Sequence, residues 1–143
     1  MTPDDLRINV QKYADVWKAR DPRTIALFHA PEGLVESPTY AMLRGRQAIE
    51  EAARAFFKSF PDATFDLEAI VVEAQRVAIF TRISATHVNE FFGLPGTNRH
   101  IEFRSAQLLE TDGQGLIVHE RRVYDYTGLL VQIGVLKAKP ARA

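Results

Sequence analysis

Glu120, Arg122 and Tyr124 stand at every second position of an alternating run, Leu116 to Tyr126, so on a strand they share one face. A buried glutamate beside an arginine forms an ion pair, and the arginine holds the carboxylate ionised. Such a pair can orient a carboxylate or an enolate, with Arg122 as the electrophilic group. The same run, His119-Glu-Arg-Arg122, also fits a solvated strand edge, and a slip of one residue sends Arg121 inward instead. The preceding run, His100 to Glu110, puts Phe103, Ser105, Gln107 and Leu109 on one face and Glu102, Arg104 and Ala106 on the other. Gln107 both donates and accepts, which suits it to orienting a ligand better than to moving a proton. The competing reading is an ordinary half-buried strand with one polar side chain bonded across it. If the sheet curls, polar groups on its inner face line a pocket.

The elements that must position these residues follow from periodicity. Leu6, Val10, Tyr13 and Trp17 mark one face of an amphipathic helix that opens behind Asp4 and Asp5. Tyr13 and Trp17 can floor a pocket with an aromatic surface or simply fill the core. Asp21-Pro22 caps a second short helix, Thr24 to His29, and Gly33 to Tyr40 reads as a short strand leading into a loop. Arg46 to Phe60 is the clearest helix, with Ile49, Ala53, Phe56, Phe57 and Phe60 on its apolar side. From Thr64 the period changes to two: strands over Phe65 to Val71, Val77 to Val88, His100 to Glu110 and Leu116 to Tyr126. Thr111-Asp-Gly-Gln-Gly115 turns between the last two, and an apolar helical tail follows at Gly128 to Gly134. Helices first and an antiparallel meander after make an α+β layout, read as one domain over residues 1–143.

Composition narrows the function. The 143 residues hold 18 Lys plus Arg against 18 Asp plus Glu, so the formal net charge is zero and nothing favours a nucleic-acid backbone. There is no cysteine, which removes thiol nucleophiles, disulfides and thiolate metal sites. The acidic start, Met-Thr-Pro-Asp-Asp, does not read as a signal peptide, and no apolar run is long enough to span a bilayer. The expectation is a cytoplasmic protein with no membrane partner. The histidines are scattered without metal-ligand spacing, and no phosphate loop or nucleophile elbow occurs, so no metal and no cofactor are expected.

Several segments resemble the SnoaL-like polyketide cyclases: Tyr13-Ala-Asp-Val-Trp17, Leu27-Phe-His-Ala-Pro31, Phe60-Pro-Asp62, Phe92-Gly-Leu-Pro-Gly-Thr-Asn-Arg99 and Asp125-Tyr-Thr-Gly-Leu-Leu-Val-Gln-Ile-Gly134. Their order covers nearly the whole chain. The resemblance implies a cone-shaped α+β barrel, in which a strongly curved antiparallel sheet wraps around the N-terminal helices and leaves an internal pocket. Ketosteroid isomerase, scytalone dehydratase and limonene epoxide hydrolase are more distant relatives on that fold. It also implies a homodimer formed through the open sheet face and a hydrophobic small-molecule ligand.

Carried over residue by residue, the resemblance puts the strand face of Glu120, Arg122 and Tyr124 inside the pocket, with Ser105 and Gln107 beside it. It places His87 where many family members carry a histidine, and a neutral imidazole can act as general base. The plainer alternative is a histidine packed at the sheet rim. Glu36 falls on the short first strand, where the family often sets a polar residue towards the pocket. Asp125 keeps its place in the closing signature and suits a helix cap better than catalysis. The departures are sharper. The family's acid–base aspartate falls at Arg122, and its assisting histidine falls at Gln107. Neither is a carboxylate base.

The resulting expectation is a cofactor-free acid–base enzyme of isomerase, dehydratase, cyclase or lyase type acting on a hydrophobic cyclic or aromatic molecule. His87, Glu120 and Arg122 are its candidate catalytic residues. Tyr13, Trp17, Glu36, Ser105, Gln107 and Tyr124 are candidates for substrate binding. The rival is a binding protein of the same fold that holds a lipophilic molecule without turning it over.

Overall fold

The computed structural model describes residues 1–137. Helix α1 spans Pro3–Lys18 and α2 spans Pro22–Leu27. Each begins on a side-chain cap followed by proline: Thr2 Oγ1 accepts from Asp5 N at 3.1 Å, and Asp21 Oδ1 accepts from Thr24 N at 3.2 Å. Those caps satisfy amide groups the first turn leaves free. Strand β1 (His29–Glu36) and the two-residue β2 (Leu43–Arg44) precede α3, Arg46–Ser59. Then come β3 (Thr64–Glu73), β4 (Arg76–Thr86), β5 (His100–Thr111), β6 (Ile117–Tyr124) and the closing helix α4, Tyr126–Gln132. Asp125 caps α4, its Oδ1 accepting from Gly128 N at 2.8 Å, the role its sequence position suggested.

The six strands form one curved, unclosed sheet in the order β2-β1-β6-β5-β4-β3. Strands β3 to β6 are the expected antiparallel meander. Beside that meander stands one parallel pair, β1 on β6. A parallel pair needs a long crossover, and here everything from β2 to β5 supplies it. The pairing shifts register between His29 and Leu34, where Gly33 lies so close that a Cβ would stand 3.0 Å from Ile117 O and Ala30 O. A side chain there would push β1 off β6.

Two apolar clusters fill the concave side. Leu6, Val10 and Tyr13 of α1 pack on Val77, Ile79, Leu109 and Ile117. Phe60, Phe65, Ile83, Ile101, Leu129 and Ile133 form the second. Trp17 and Phe57 touch both and join them. Strand β4 stops at Thr86 rather than running on to Val88, because the amides of Val88 and Asn89 turn away to donate to Ser59 O. No helix among the described residues is long and apolar enough to cross a membrane.

Candidate active site

A cavity of about 330 Å³ opens between the helices and the concave sheet face. That volume lies at the small end for small-molecule sites. Most of its wall is aromatic or aliphatic: Tyr13 and Trp17 from α1, Phe56 from α3, Phe65 from β3 and Phe103 from β5. Ser105, Gln107, Arg122 and Tyr124 add polar atoms from β5 and β6. The β5–β6 register sets Gln107 directly opposite Arg122 and Ser105 opposite Tyr124, so all four share the inner face. The two open positions of the sequence reading resolve accordingly. Arg122 points inward with its side chain 18% exposed, and Arg121 points outward at 51%.

Behind this wall lies Glu120, fully buried. Its Oε1 accepts from the Tyr13 hydroxyl at 2.7 Å and meets His29 Nε2 at 3.2 Å. Its Oε2 accepts from Gln107 Nε2 at 3.0 Å and from Arg122 Nε. Burial opposes ionisation of this carboxyl, but the Arg122 guanidinium and the bonds from His29 and Tyr13 outweigh it and hold the group well below the usual carboxylate range. Burial, reinforced by Glu120, pushes the Tyr13 phenol well above its usual range, so it stays a donor. Burial also works against the Arg122 charge, and Glu120 more than restores it. Four donors on two oxygens leave the Glu120 carboxylate no free lone pair for a substrate proton.

Arg122 is held from both ends. Its Nε is tied to Glu120, and its guanidinium carbon sits 5.1 Å from the Trp17 ring centroid, a cation–π distance. The terminal nitrogens make no hydrogen bond among the described residues, and Arg122 borders the cavity. Trp17 Nε1–H is likewise buried without a partner. Tyr124 Oη bonds Thr39 Oγ1 at 2.8 Å on the opposite wall.

Three of the sequence candidates lie elsewhere. Glu36 is not at the cavity. It pairs in register with Arg121, and its carboxylate takes His119 Nε2 at 2.7 Å on the outer face. The inward place one residue earlier belongs to Val35, which pairs with Glu120 and is fully buried. His119 is thus partnered on that outer face. His87 is fully buried but not at the cavity. Its Nδ1 lies 3.0 Å from Thr97 Oγ1, its ring packs on Phe60 and Phe91, and its Nε2 has no partner among the described residues. Glu120 itself is behind the wall rather than in it.

Other groups at the site went unread in the sequence. His29, taken as the end of the second helix, is the first residue of β1 and joins the Glu120 cluster from there. Thr39, Tyr40, Phe91 and Phe92 line the mouth from loops, where no periodicity points to a face. Tyr40 and Phe92 stack edge-on at 5.2 Å across it. The Phe92-Gly93 corner has positive φ at both residues, 48° and 80°. Among the described residues no group of three or more His, Cys, Asp or Glu is arranged to hold a metal ion.

A curved sheet folded over N-terminal helices around an apolar cavity is the architecture of the ketosteroid isomerase-like cone proteins. Within that class the chain belongs to the SnoaL-like polyketide cyclase family, whose model matches residues 7–133. Among solved structures it is similar to AclR from Streptomyces galilaeus, at 22% identity and a TM-score of 0.84, covering 97% of this chain and 91% of that one. A SnoaL-like polyketide cyclase from Agrobacterium tumefaciens matches at 20% identity and a TM-score of 0.74 over 94% and 100% of the two chains. A hypothetical protein with a ketosteroid isomerase-like fold from Catenulispora acidiphila matches at 18% identity and a TM-score of 0.76 over 90% and 93%. At these identities the likeness is one of fold. No curated protein matches the chain.

Proposed function

We propose that this chain is a cofactor-free isomerase, dehydratase, cyclase or lyase acting on a hydrophobic cyclic or aromatic carbonyl compound. Its family suggests a cyclase- or isomerase-type role in general. The observation that carries the finer reading is Arg122: a half-buried cationic head group, fixed by Glu120 and Trp17, on a largely apolar stretch of wall. In a low-dielectric cavity such a donor stabilises a carbonyl oxygen as it gains charge on enolisation. In this reading Glu120 holds Arg122, Gln107 and Tyr13 in place and takes no proton itself. The Tyr124 hydroxyl, bonded to Thr39, helps to position the substrate oxygen, and the α-proton passes to a water molecule at the open cavity mouth and is returned from it while Arg122 holds the enolate oxygen. His87 has no part in the step, and Glu36 none in binding.

The test uses hydrogen exchange. Incubated in D2O with a panel of cyclic aryl ketones such as 2-tetralone, the protein is expected to speed deuterium incorporation beside the carbonyl, and Arg122→Met to abolish that acceleration. A ketone that binds in the cavity yet exchanges at the buffer rate would sink the enzyme reading. It would leave the second reading, a non-catalytic carrier of lipophilic molecules. One observation favours that reading: both Glu120 oxygens are fully occupied, where the family's mechanism needs a free carboxylate.

Homodimerisation through the outer sheet face belongs to the same proposal. Val71, Phe80 and Val123 are exposed there at 57%, 45% and 68%. Light scattering on the eluting protein reads it directly, and a monomer mass would reject it.

A further inference from the structure

The hydrogen-bond inventory around His29 says more than the positions of its neighbours. His29 Nδ1 lies 3.1 Å from the carbonyl oxygen of Ile25, which can only accept. His29 Nε2 lies 3.2 Å from Glu120 Oε1. That carboxylate already receives the Tyr13 hydroxyl, Gln107 Nε2 and Arg122 Nε, so it too stands as an acceptor. Both ring nitrogens therefore face oxygen lone pairs. A neutral imidazole carries one N–H and would set its bare nitrogen against an acceptor in a site that water does not reach. Two N–H groups satisfy both contacts.

With His29 as an imidazolium, the buried cluster holds two cations, His29 and Arg122, and one anion, Glu120. Among the described residues no other carboxylate bonds to any of them. Arg46 adds a further cation nearby, its Nε donating to the His29 carbonyl at 2.8 Å. The two other charged residues that line the cavity, Lys58 and Glu90, are exposed. An uncompensated positive charge in a desolvated site is costly, and an anion that reaches it recovers that cost. The donors left free at the cavity, the two terminal nitrogens of Arg122, match what an anionic oxygen pair accepts.

We infer that the inner end of the cavity carries one uncompensated positive charge and selects ligands that bring an anionic oxygen, a carboxylate or an acidic enol, on a flat apolar body. The inference rests on the cavity being the ligand site of the proposed function, and it narrows the substrate class from lipophilic to lipophilic and anionic.

Calorimetric titration with 2-naphthoate and with its neutral isostere 2-naphthamide separates the two ideas. The whole protein is expected to bind naphthoate at least about ten-fold more tightly than naphthamide. Arg122→Gln should erase that preference, weakening naphthoate far more than naphthamide. His29→Gln, which keeps a donor near Glu120 but removes the charge, should reduce it. Equal affinity of the wild-type protein for the two probes overturns the charge inference and leaves the cavity reading standing. Binding of neither overturns both. A second readout needs no ligand and no variant: the long-range proton–nitrogen spectrum of His29 should show two protonated ring nitrogens, and a pattern with one bare nitrogen overturns the inference.

Discussion

Strands β5 and β6 carry ionic groups on both faces, and the two sets differ in kind. On the inner face Glu120 has no exposure and bonds four donors drawn from α1, β1, β5 and β6. On the outer face Arg121 sits at 3.5 Å from Glu110 and 3.8 Å from Glu36, with His119 between the two carboxylates and water reaching all of them. Farther along, Arg82 pairs with Glu102 and Arg104 with Glu68 in the same solvated manner. The residue types match, and Arg121 and Arg122 are neighbours in the chain. Side-chain alternation alone sends one guanidinium to water and the other to a desolvated carboxylate. The outer pairs gain little because water competes for each charge. The inner set depends on every member, since removing one strands the others without solvent.

That contrast breaks most visibly at Glu120. Glu120→Ala leaves Arg122 and His29 without their counter-ion and should cost about 3–5 kcal/mol in urea unfolding. A cost no larger than that of an outer-face substitution would erase the distinction. Acid should erode the same contribution. The Glu120 carboxyl is held below its unfolded value, so its stabilisation is complete above the ordinary carboxylate range and is lost as pH falls through and below that range. The stability gap between wild type and Glu120→Gln should therefore narrow between about pH 6 and pH 2, and a gap constant with pH would contradict the ionised, paired state. Tyr13→Phe removes one of the four donors and keeps the ring packing, and is expected to lower stability by about 1–2 kcal/mol in thermal unfolding. Least affected should be Glu110→Ala on the outer face, at under about 1 kcal/mol. A larger loss there would mean that the outer charges act as a network.

Alternation made much of this readable in advance. The shared face of Glu120, Arg122 and Tyr124, the opposite face of Glu102 and Arg104, and the hairpin between the two strands all follow from a period of two. The helices follow from caps and apolar spacing, and the overall fold from ordered segments that resemble a family. Local pattern says nothing about partners distant in the chain, and the misplacements trace to that. His29 was set in a helix because β1's parallel partner, β6, lies beyond any local window, and Glu36 was set inward by a carry-over that is one residue out of step with the β1–β6 register. His87 continues the inward parity of β4, but the strand ends at Thr86 when the chain bends to reach Ser59, so its ring enters the aromatic cluster at Phe60 and Phe91. That Glu120 would be saturated, and so unfit to take a substrate proton, depended on three further donors from α1, β1 and β5, which leave no signature in its own strand.

The parallel seam between β1 and β6 also sets an order of events for the growing polypeptide. Tyr13 and His29 emerge early, yet the carboxylate they bond lies 107 and 91 residues later. Until the final strand leaves the ribosome, the first quarter of the chain has no acceptor for its buried phenol and imidazole, and β1 has no neighbour on its long edge. Closing a loop of that length comes late and slowly. A nascent chain halted before Ile117 would thus hold α1 to α3 and the β3–β4–β5 meander but expose an unpaired strand edge, the form a chaperone must shield.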